Sequence, residues 1–411
     1  MTPLVIKNES QARDVMSSLG VDSEGIKILS SKGIYAAFKI EGISSWEANI
    51  IKQHLLSLGT DAAINRDALV KRIKTDILIF GNARQLRQLC DKLRNQPFKL
   101  KEISRELSSC LDGFFRKEYV FRARDKVLRI TEPVICGIVN VTPDSFSGDG
   151  LLKQAQNTKC PSDMLGTGKM QKLVLKKVAE MAREGAKIID VGGESSRPFS
   201  KPVKETEEIK RVIPVLRLIR KEFKKLIISV DTYKYAVAKA AVDEGVDVIN
   251  DITALRKALK MVSLVKRYRL GCILMHMSGR PATMQINPKY KDVTADIISF
   301  LKERLEFVTG AGIGKDRILL DPGIGFGKRL EDNLRIINEL YKFKILGLPI
   351  FLGASRKSFI GKVLDVEVGE RAVGTLAAHI ISVVRGANVL RVHDVAQTKQ
   401  ALKIACQIMG N

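Results

Sequence analysis

The stretch "VICGIVN" (134–140) is short, almost continuously apolar and rich in β-branched residues, and it ends at Asn140 against the polar run "VTPDSFS" (141–147). A strand with one face in water alternates apolar and polar side chains. A run without alternation fits a parallel strand buried on both faces. Seven similar runs follow: "KIIDV" (187–191), "LIISV" (226–230), "VDVIN" (246–250), "GCILM" (271–275), "RILLD" (317–321), "LPIFLG" (348–353) and "ANVLRV" (387–392). An amphipathic stretch follows each of the eight, near 170–184, 204–222, 233–244, 255–268, 292–311, 330–345, 368–385 and 394–408. Eight strands alternating with eight helices predict an α/β chain built on a (β/α)8 TIM barrel. A doubly wound open sheet is the rival, and the even count of eight favours closure.

The first part of the chain lies outside that count. "GIYAAFKI" (33–40) and "TDILIFG" (75–81) read as strands, and "SSWEANIIKQHLLSLG" (44–59) and "NARQLRQLCDKLR" (82–94) as helices. Residues 1–125 are therefore expected to form a small α/β domain, with the barrel over 126–411 and the boundary near "RARDKVLRI" (122–130). "LLKQAQNTKCPSDMLGTGKM" (151–170) is a long polar loop after the first barrel strand, and loops of that length usually carry function or move.

Composition narrows the class. The chain has 411 residues, 45% of them hydrophobic, and a net charge of +24. No uncharged apolar window is long enough for a membrane span, and the N-terminus lacks a charged-then-apolar signal pattern, which points to the cytoplasm. Six scattered cysteines without C-x-x-C spacing fit reduced thiols. The basic excess is spread along the chain. It reads as a solvated surface or as one that draws in anionic substrates, and no motif or aromatic richness supports nucleic-acid binding.

The strand ends share a chemistry. In chain order they carry Asn140 with Thr142 and Asp144; Glu194 to Arg197; Asp231 with Thr232; Asn250 with Asp251; His276; Asp321; Ser355 to Ser358; and Arg391, His393 and Asp394. A barrel brings all of these to one mouth. Any one of them is a plausible helix N-cap, but eight together are not explained by capping. Carboxylates and amides follow strands 1, 3, 4 and 6, and cations follow strands 7 and 8. Arg391 and Lys357 suit an anion, and His393 can add a hydrogen bond. Asp321, acceptor-only, suits the paired N–H groups of an amino-pyrimidinone edge. Asn250 suits the neighbouring mixed edge, and Asp231 a further ring N–H.

Two motifs are decoys. "GIGFGK" (323–328) has three residues between Gly323 and Gly327 where a P-loop has four, and Arg329 follows Lys328 where Ser or Thr is required. His276 has no second His or Cys at ligand spacing, which excludes a zinc site by pattern.

Taken together, "GIVNVTPDSFS" (137–147), "IIDVGGESSRP" (188–198), "SVDTYK" (229–234), "VINDI" (248–252), "MHMSGRP" (275–281), "LLDPGIGFGK" (319–328), "GASRKSFIG" (353–361) and "RVHDV" (391–395) resemble the dihydropteroate synthases, a pterin-binding family of the folate pathway. The resemblance implies a transferase that joins 6-hydroxymethyl-7,8-dihydropterin diphosphate to 4-aminobenzoate, assisted by Mg2+, and a homodimer paired through helices near the C-terminal end. It implies pterin contacts at Asp231, Asn250, Met275, Asp321 and Lys357. Asn140, Arg391 and His393 fall at the diphosphate, with Asn140 also on the metal. Phe146, Ser196, Arg197, Pro198, Phe326 and Ser358 fall on the aminobenzoate side. The catalytic set is then Asn140, Asp231, Lys357, Arg391 and His393, with no covalent nucleophile, because the arylamine is itself one.

The sequence departs from the family pattern at "SGDG" (147–150), which puts Asp149 off register, and at Ser196, Phe199 and Ser278, which stand where Thr, Gly and Arg are usual. The departures touch the aminobenzoate side. A pterin-binding methyltransferase would share the Asp and Asn contacts but has no use for the anion-binding "SRKSFIG" and "RVHDV". The resemblance does not reach residues 1–125.

Overall fold

The structure is a computed structural model that describes residues 4, 6, 9–141, 168–195, 200, 202–257, 259–281 and 283–410. Its contacts divide the chain into two units, Met1–Phe115 and Arg116–Met409. In the first, β1 (Tyr35–Ser44), β2 (Ala62–Ile64) and β3 (Lys74–Asn82) form an antiparallel sheet in the order β1-β3-β2. Exposed and buried residues alternate along β3, so one face is covered. Helices Ser45–Ser57, Ala83–Leu93 and Leu100–Phe114 cover it, through Ile51, Leu55, Leu86, Leu89, Leu107 and Leu111. Two of these helices begin with capping boxes, Ser44 with Glu47 and Asn82 with Gln85, which satisfy backbone N–H groups that the first turn leaves unpaired.

The second unit opens with a hairpin, β4 (Tyr119–Ala123) and β5 (Lys126–Ile130). The eight parallel strands are β6 (Val134–Asn140), β7 (Ala186–Gly192), β8 (Ile227–Asp231), β9 (Val248–Asp251), β10 (Gly271–Met275), β11 (Ile318–Asp321), β12 (Phe351–Leu352) and β13 (Val389–Val392). They run in the order β11-β10-β9-β8-β7-β6-β13-β12, and a parallel bridge between Leu320 and Ile350 closes the ring. The sheet is therefore a (β/α)8 barrel.

Two elements differ from expectation. β12 has two residues, where "LPIFLG" suggested a full strand. Pro349 has no N–H to extend the ladder, although its carbonyl still accepts from Leu320 N at 3.0 Å. The stretch 330–345 is helix Leu330–Asn338 followed by the 3-10 turn Leu340–Leu346, and a further short helix spans Ser358–Leu364.

Strand alternation sorts the apolar residues into two cores. Ile135, Val139, Ile189, Val191, Ile228 and Val230 face outward against the helices. Cys136, Ile188, Ile227, Val248, Ile273, Leu319, Phe351 and Val389 fill the lower interior together with Tyr119, Phe121, Ala123 and Ile130 of the hairpin. Gly271 makes room for the plug, since a Cβ there would lie 2.5 Å from the Phe121 ring. At the hairpin turn, Arg124 donates to the carbonyls of Val242 and Val246, each at 2.6 Å. Lys126 pairs with Asp247 at 2.8 Å. The hairpin straddles the expected division between 125 and 126 and packs wholly with the barrel.

Candidate active site

Above the plugged floor the interior turns polar. Strand registers set Asn140, Gly192, Asp231 and Asn250 side by side on β6 to β9. Asp231 Oδ2 accepts from Arg391 Nη2 at 2.9 Å. Burial pushes the Asp231 carboxyl up to about 7, against the pull of the Arg391 guanidinium. Arg391 Nε also donates to Asp190 Oδ2 at 2.6 Å, and Asn250 Nδ2 donates to the same oxygen at 3.0 Å. Burial works against the Arg391 charge, but Asp190 and Asp231 hold its pKa above the ordinary value.

A second group adjoins the first. Asp321, beside Met275 in the β10–β11 register, accepts from Gly323 N at 2.7 Å. Burial raises its carboxyl, while Lys357 and that N–H oppose the rise. Gly323 has φ +71, and a Cβ there would come within 1.9 Å of the His276 carbonyl, so the loop requires glycine. Lys357 Nζ donates to the Ile324 carbonyl and lies 4.4 Å from the Phe326 ring centroid. Burial lowers Lys357 to about 8, with Asp321 and Asp231 opposing. Phe326 packs on Met275, Met277 and Met284. Lys357 and Asp231 feel each other's charge, so the two groups share one mouth.

The other expected residues are placed less centrally. His393 Nδ1 is 2.9 Å from Ser355 Oγ, and His393 lines a cavity of about 280 Å³ with Lys176, Lys177, Glu180 and Arg356. Ser358 is the exposed first residue of its helix. Phe146, Ser196, Arg197 and Pro198 lie outside the described residues, as do Thr142, Asp144, Asp149, Cys160 and Phe199. Several strand-end groups serve the scaffold. Asp251 accepts from Thr253 N and Leu255 N, and Asp394 pairs with Arg356. Glu194 binds Lys234 and accepts from Val203 N.

Two residues that sequence reasoning missed are prominent. Asp190 stands in the middle of "KIIDV", and its signal was a lone carboxylate inside an otherwise apolar strand. Lys328, the last residue of the glycine decoy, is buried and donates to His276 Nδ1 and the Phe326 carbonyl, both at 3.0 Å. Burial lowers Lys328 to about 7 and His276 to about 2.

Among the described residues no group of three or more His, Cys, Asp and Glu side chains is arranged to hold a metal. Asn140 Oδ1 and Asp231 Oδ2 both approach the space over Gly192, 3.5 and 3.7 Å from where its Cβ would stand. Such sparse oxygen donors fit Mg2+, which keeps several waters and binds substrate phosphates.

A closed barrel with buried carboxylates, an amide and cations at the strand ends has the makings of an enzyme site, and the family model described as "Pterin binding enzyme" matches residues 136–393. The chain is 42% identical over 282 residues to the dihydropteroate synthase of Haemophilus influenzae, covering 69% of this chain and 96% of that protein. It is 41% identical to the one from Clostridium beijerinckii, covering 66% and 92%. A crystal structure of Yersinia pestis dihydropteroate synthase with a sulfonamide drug complex superposes with a TM-score of 0.64 at 36% identity, covering 71% of this chain and all of that one. The Xanthomonas albilineans enzyme with 4-aminobenzoic acid gives 0.62 at 38% identity, covering 72% and 99%. The chain belongs to the dihydropteroate synthase family, transferases of folate biosynthesis.

Proposed function

We propose that the two groups at the mouth divide the dihydropteroate synthase reaction between them. Asp321, Asn250 and Asp231 receive the pterin of 6-hydroxymethyl-7,8-dihydropterin diphosphate, with Met275 and Lys357 against its ring. The observation that carries this reading is a pair of carboxylates, the half-buried Asp231 and the buried Asp321, set beside an amide above an apolar floor. Buried anions are costly unless they meet donors, and a pterin edge supplies N–H groups. In the reaction the C–O bond to the diphosphate breaks, the C–N bond to the 4-aminobenzoate nitrogen forms, and the nitrogen loses a proton. Asp231 and Asp321 stabilise the positive charge that develops on the pterin, and Arg391, His393 and Lys357 the departing anion.

Mg2+ belongs to this reading, with Asn140 its proposed protein ligand, and its chemistry is to neutralise diphosphate charge. Phe326 and Ser358, with Phe146, Ser196, Arg197 and Pro198, are the proposed aminobenzoate side. A homodimer is supported by exposed apolar residues on helices Ala372–Val384 and Val395–Met409, where Val373 is 78% and Ile408 81% exposed. The described cysteines are free thiols, which suits the cytoplasm. No helix among the described residues is long and apolar enough to cross a membrane. The test is formation of 7,8-dihydropteroate and diphosphate from the two substrates with Mg2+ present. Absence of product from folded protein would sink the reading.

A further inference from the structure

Asp190 lies on β7, midway along the arc of neighbouring strands β13-β6-β7-β8-β9. Its inward neighbours on the same strand are Ile188 below, in the apolar floor, and Gly192 above, in the row with Asn140 and Asp231. It therefore sits at the seam between the floor and the mouth. Its exposure is 0%. One oxygen, Oδ2, takes both of its side-chain hydrogen bonds, from Asn250 Nδ2 on β9 and from Arg391 Nε on β13. Asp190 Oδ1 has no hydrogen-bond partner among the described residues.

Each bond fixes an orientation that is otherwise open. A carboxamide can present either its oxygen or its nitrogen to a given neighbour. Asp190 Oδ2 accepts from Asn250 Nδ2, so the nitrogen of the carboxamide is turned to Asp190, which leaves the carboxamide oxygen and the second N–H for other partners. A guanidinium offers five N–H groups in a rigid fork. With Nε held by Asp190 and Nη2 by Asp231, the Nη1 side of Arg391 is the edge left for an anion. We propose that Asp190 is a positioning residue, which through one oxygen sets the Asn250 carboxamide for the pterin and the Arg391 guanidinium for the diphosphate. This inference rests on the residue roles proposed above and adds to them a group that touches neither substrate. One buried carboxylate then fixes the spacing between the pterin and its leaving group.

The test uses the full chain and three constants: the affinity for free 6-hydroxymethyl-7,8-dihydropterin by calorimetry, the inhibition constant of inorganic diphosphate, and the KM for 4-aminobenzoate. Asp190→Asn keeps the volume but can turn an N–H2 toward donors. It is expected to weaken the pterin and the diphosphate each by about tenfold and to move the aminobenzoate KM less than about twofold. Double-mutant cycles separate positioning from general damage. In an Arg391→Ala background Asp190→Asn should leave the diphosphate constant nearly unchanged, and in an Asn250→Ala background the pterin affinity. Asp190→Ser, which removes the charge and leaves room for water, is the second variant should Asp190→Asn not fold. Wild-type constants in a folded Asp190 variant overturn the inference. Full additivity in both cycles overturns it too, as does failure of both variants to fold, which would make Asp190 a folding residue. Normal diphosphate and pterin constants in Arg391→Ala and Asn250→Ala alone would instead remove the proposed residue roles, and this inference with them.

Discussion

The lower and upper halves of the barrel interior are built from the same eight strands, and they are opposites. Below, Ile188, Ile227, Val248, Ile273, Leu319, Phe351 and Val389 close around Phe121 of the hairpin with no charged group among them. Two residues further along the same strands stand Asp190, Asn250, Asp321 and Arg391, and four residues beyond Ile227 stands Asp231; Asp190 and Asn250 are hydrogen-bonded to each other, and burial and charged neighbours shift the other three. The floor gains stability from area removed from water, roughly 25 cal/mol per Å². The mouth spends part of that gain to hold ionisable groups out of water. The difference teaches where each kind of substitution should register: stability for the floor, ligand affinity for the mouth.

The sharpest way to break this division is at its base. Phe121→Ala leaves a cavity at the centre of the plug, and loss of a buried Phe costs about 3–5 kcal/mol of stability. Pterin affinity of the folded variant should stay within about twofold of wild type, because no ligand-facing group has moved. Denaturant unfolding paired with calorimetry checks both halves. A large change in pterin affinity would mean that floor and mouth are mechanically coupled.

At the mouth the expectation reverses. Asp321→Asn sets an N–H2 against the donors of the pterin and should cost about 2–4 kcal/mol of pterin binding. Stability should hold or rise, because burial already disfavours the charged form of this carboxyl. Calorimetric affinity near wild type would contradict the pterin role. Lys357→Met is the milder case. It keeps most of the stem over Phe326 and removes the charge, and should weaken free hydroxymethylpterin and its diphosphate by similar factors, about 1–2 kcal/mol each. His393→Ala should weaken the diphosphate form alone. A Lys357→Met effect confined to the diphosphate would remove Lys357 from the pterin ring and leave it at the anion end alone.

Much of this contrast was legible in the sequence. The eight doubly buried runs stand out because parallel strands leave no polar alternation, and the polar residues at their ends follow from where barrels open. Other features needed the folded chain. The run "LPIFLG" is apolar enough for a strand, but Pro349 removes the ladder donor and only Phe351–Leu352 qualifies. Helix Leu100–Phe114 carries Leu100, Ile103, Leu107 and Leu111 at helical spacing, a signal that the sequence does contain. Arg391 reads as a free cation at a strand end. That it lies between Asp190 and Asp231, 201 and 160 residues away in sequence, depends on ring closure bringing β13 beside β6. Asp190 itself looks like a stray charge in "KIIDV" until its inward direction is known.

Lys328 tests the border between the two regimes, because it is a titratable group placed as deeply as a floor residue. Its Nζ reaches His276 Nδ1, the His276 carbonyl and the Phe326 carbonyl, so among the described residues no carboxylate is its hydrogen-bond partner. Burial lowers its pKa from 10.5 to about 7, with Asp321 opposing. Between those two values the unfolded chain holds a proton that the folded chain has released. Unfolding free energy therefore rises with pH across that window, and the contribution is lost as pH falls through the folded value. Lys328→Met removes the proton from both states. The stability of Lys357→Met relative to the double variant Lys328→Met, Lys357→Met should accordingly rise by about 1 kcal/mol between pH 7 and pH 8, measured by urea unfolding at matched ionic strength. The difference between the two proteins cancels the groups that titrate in that range independently of Lys328; Lys357, which feels the Lys328 charge, is replaced by Met in both proteins. A flat difference would mean that Lys328 stays charged in the folded protein, and the interior beside His276 would then belong electrostatically to the mouth.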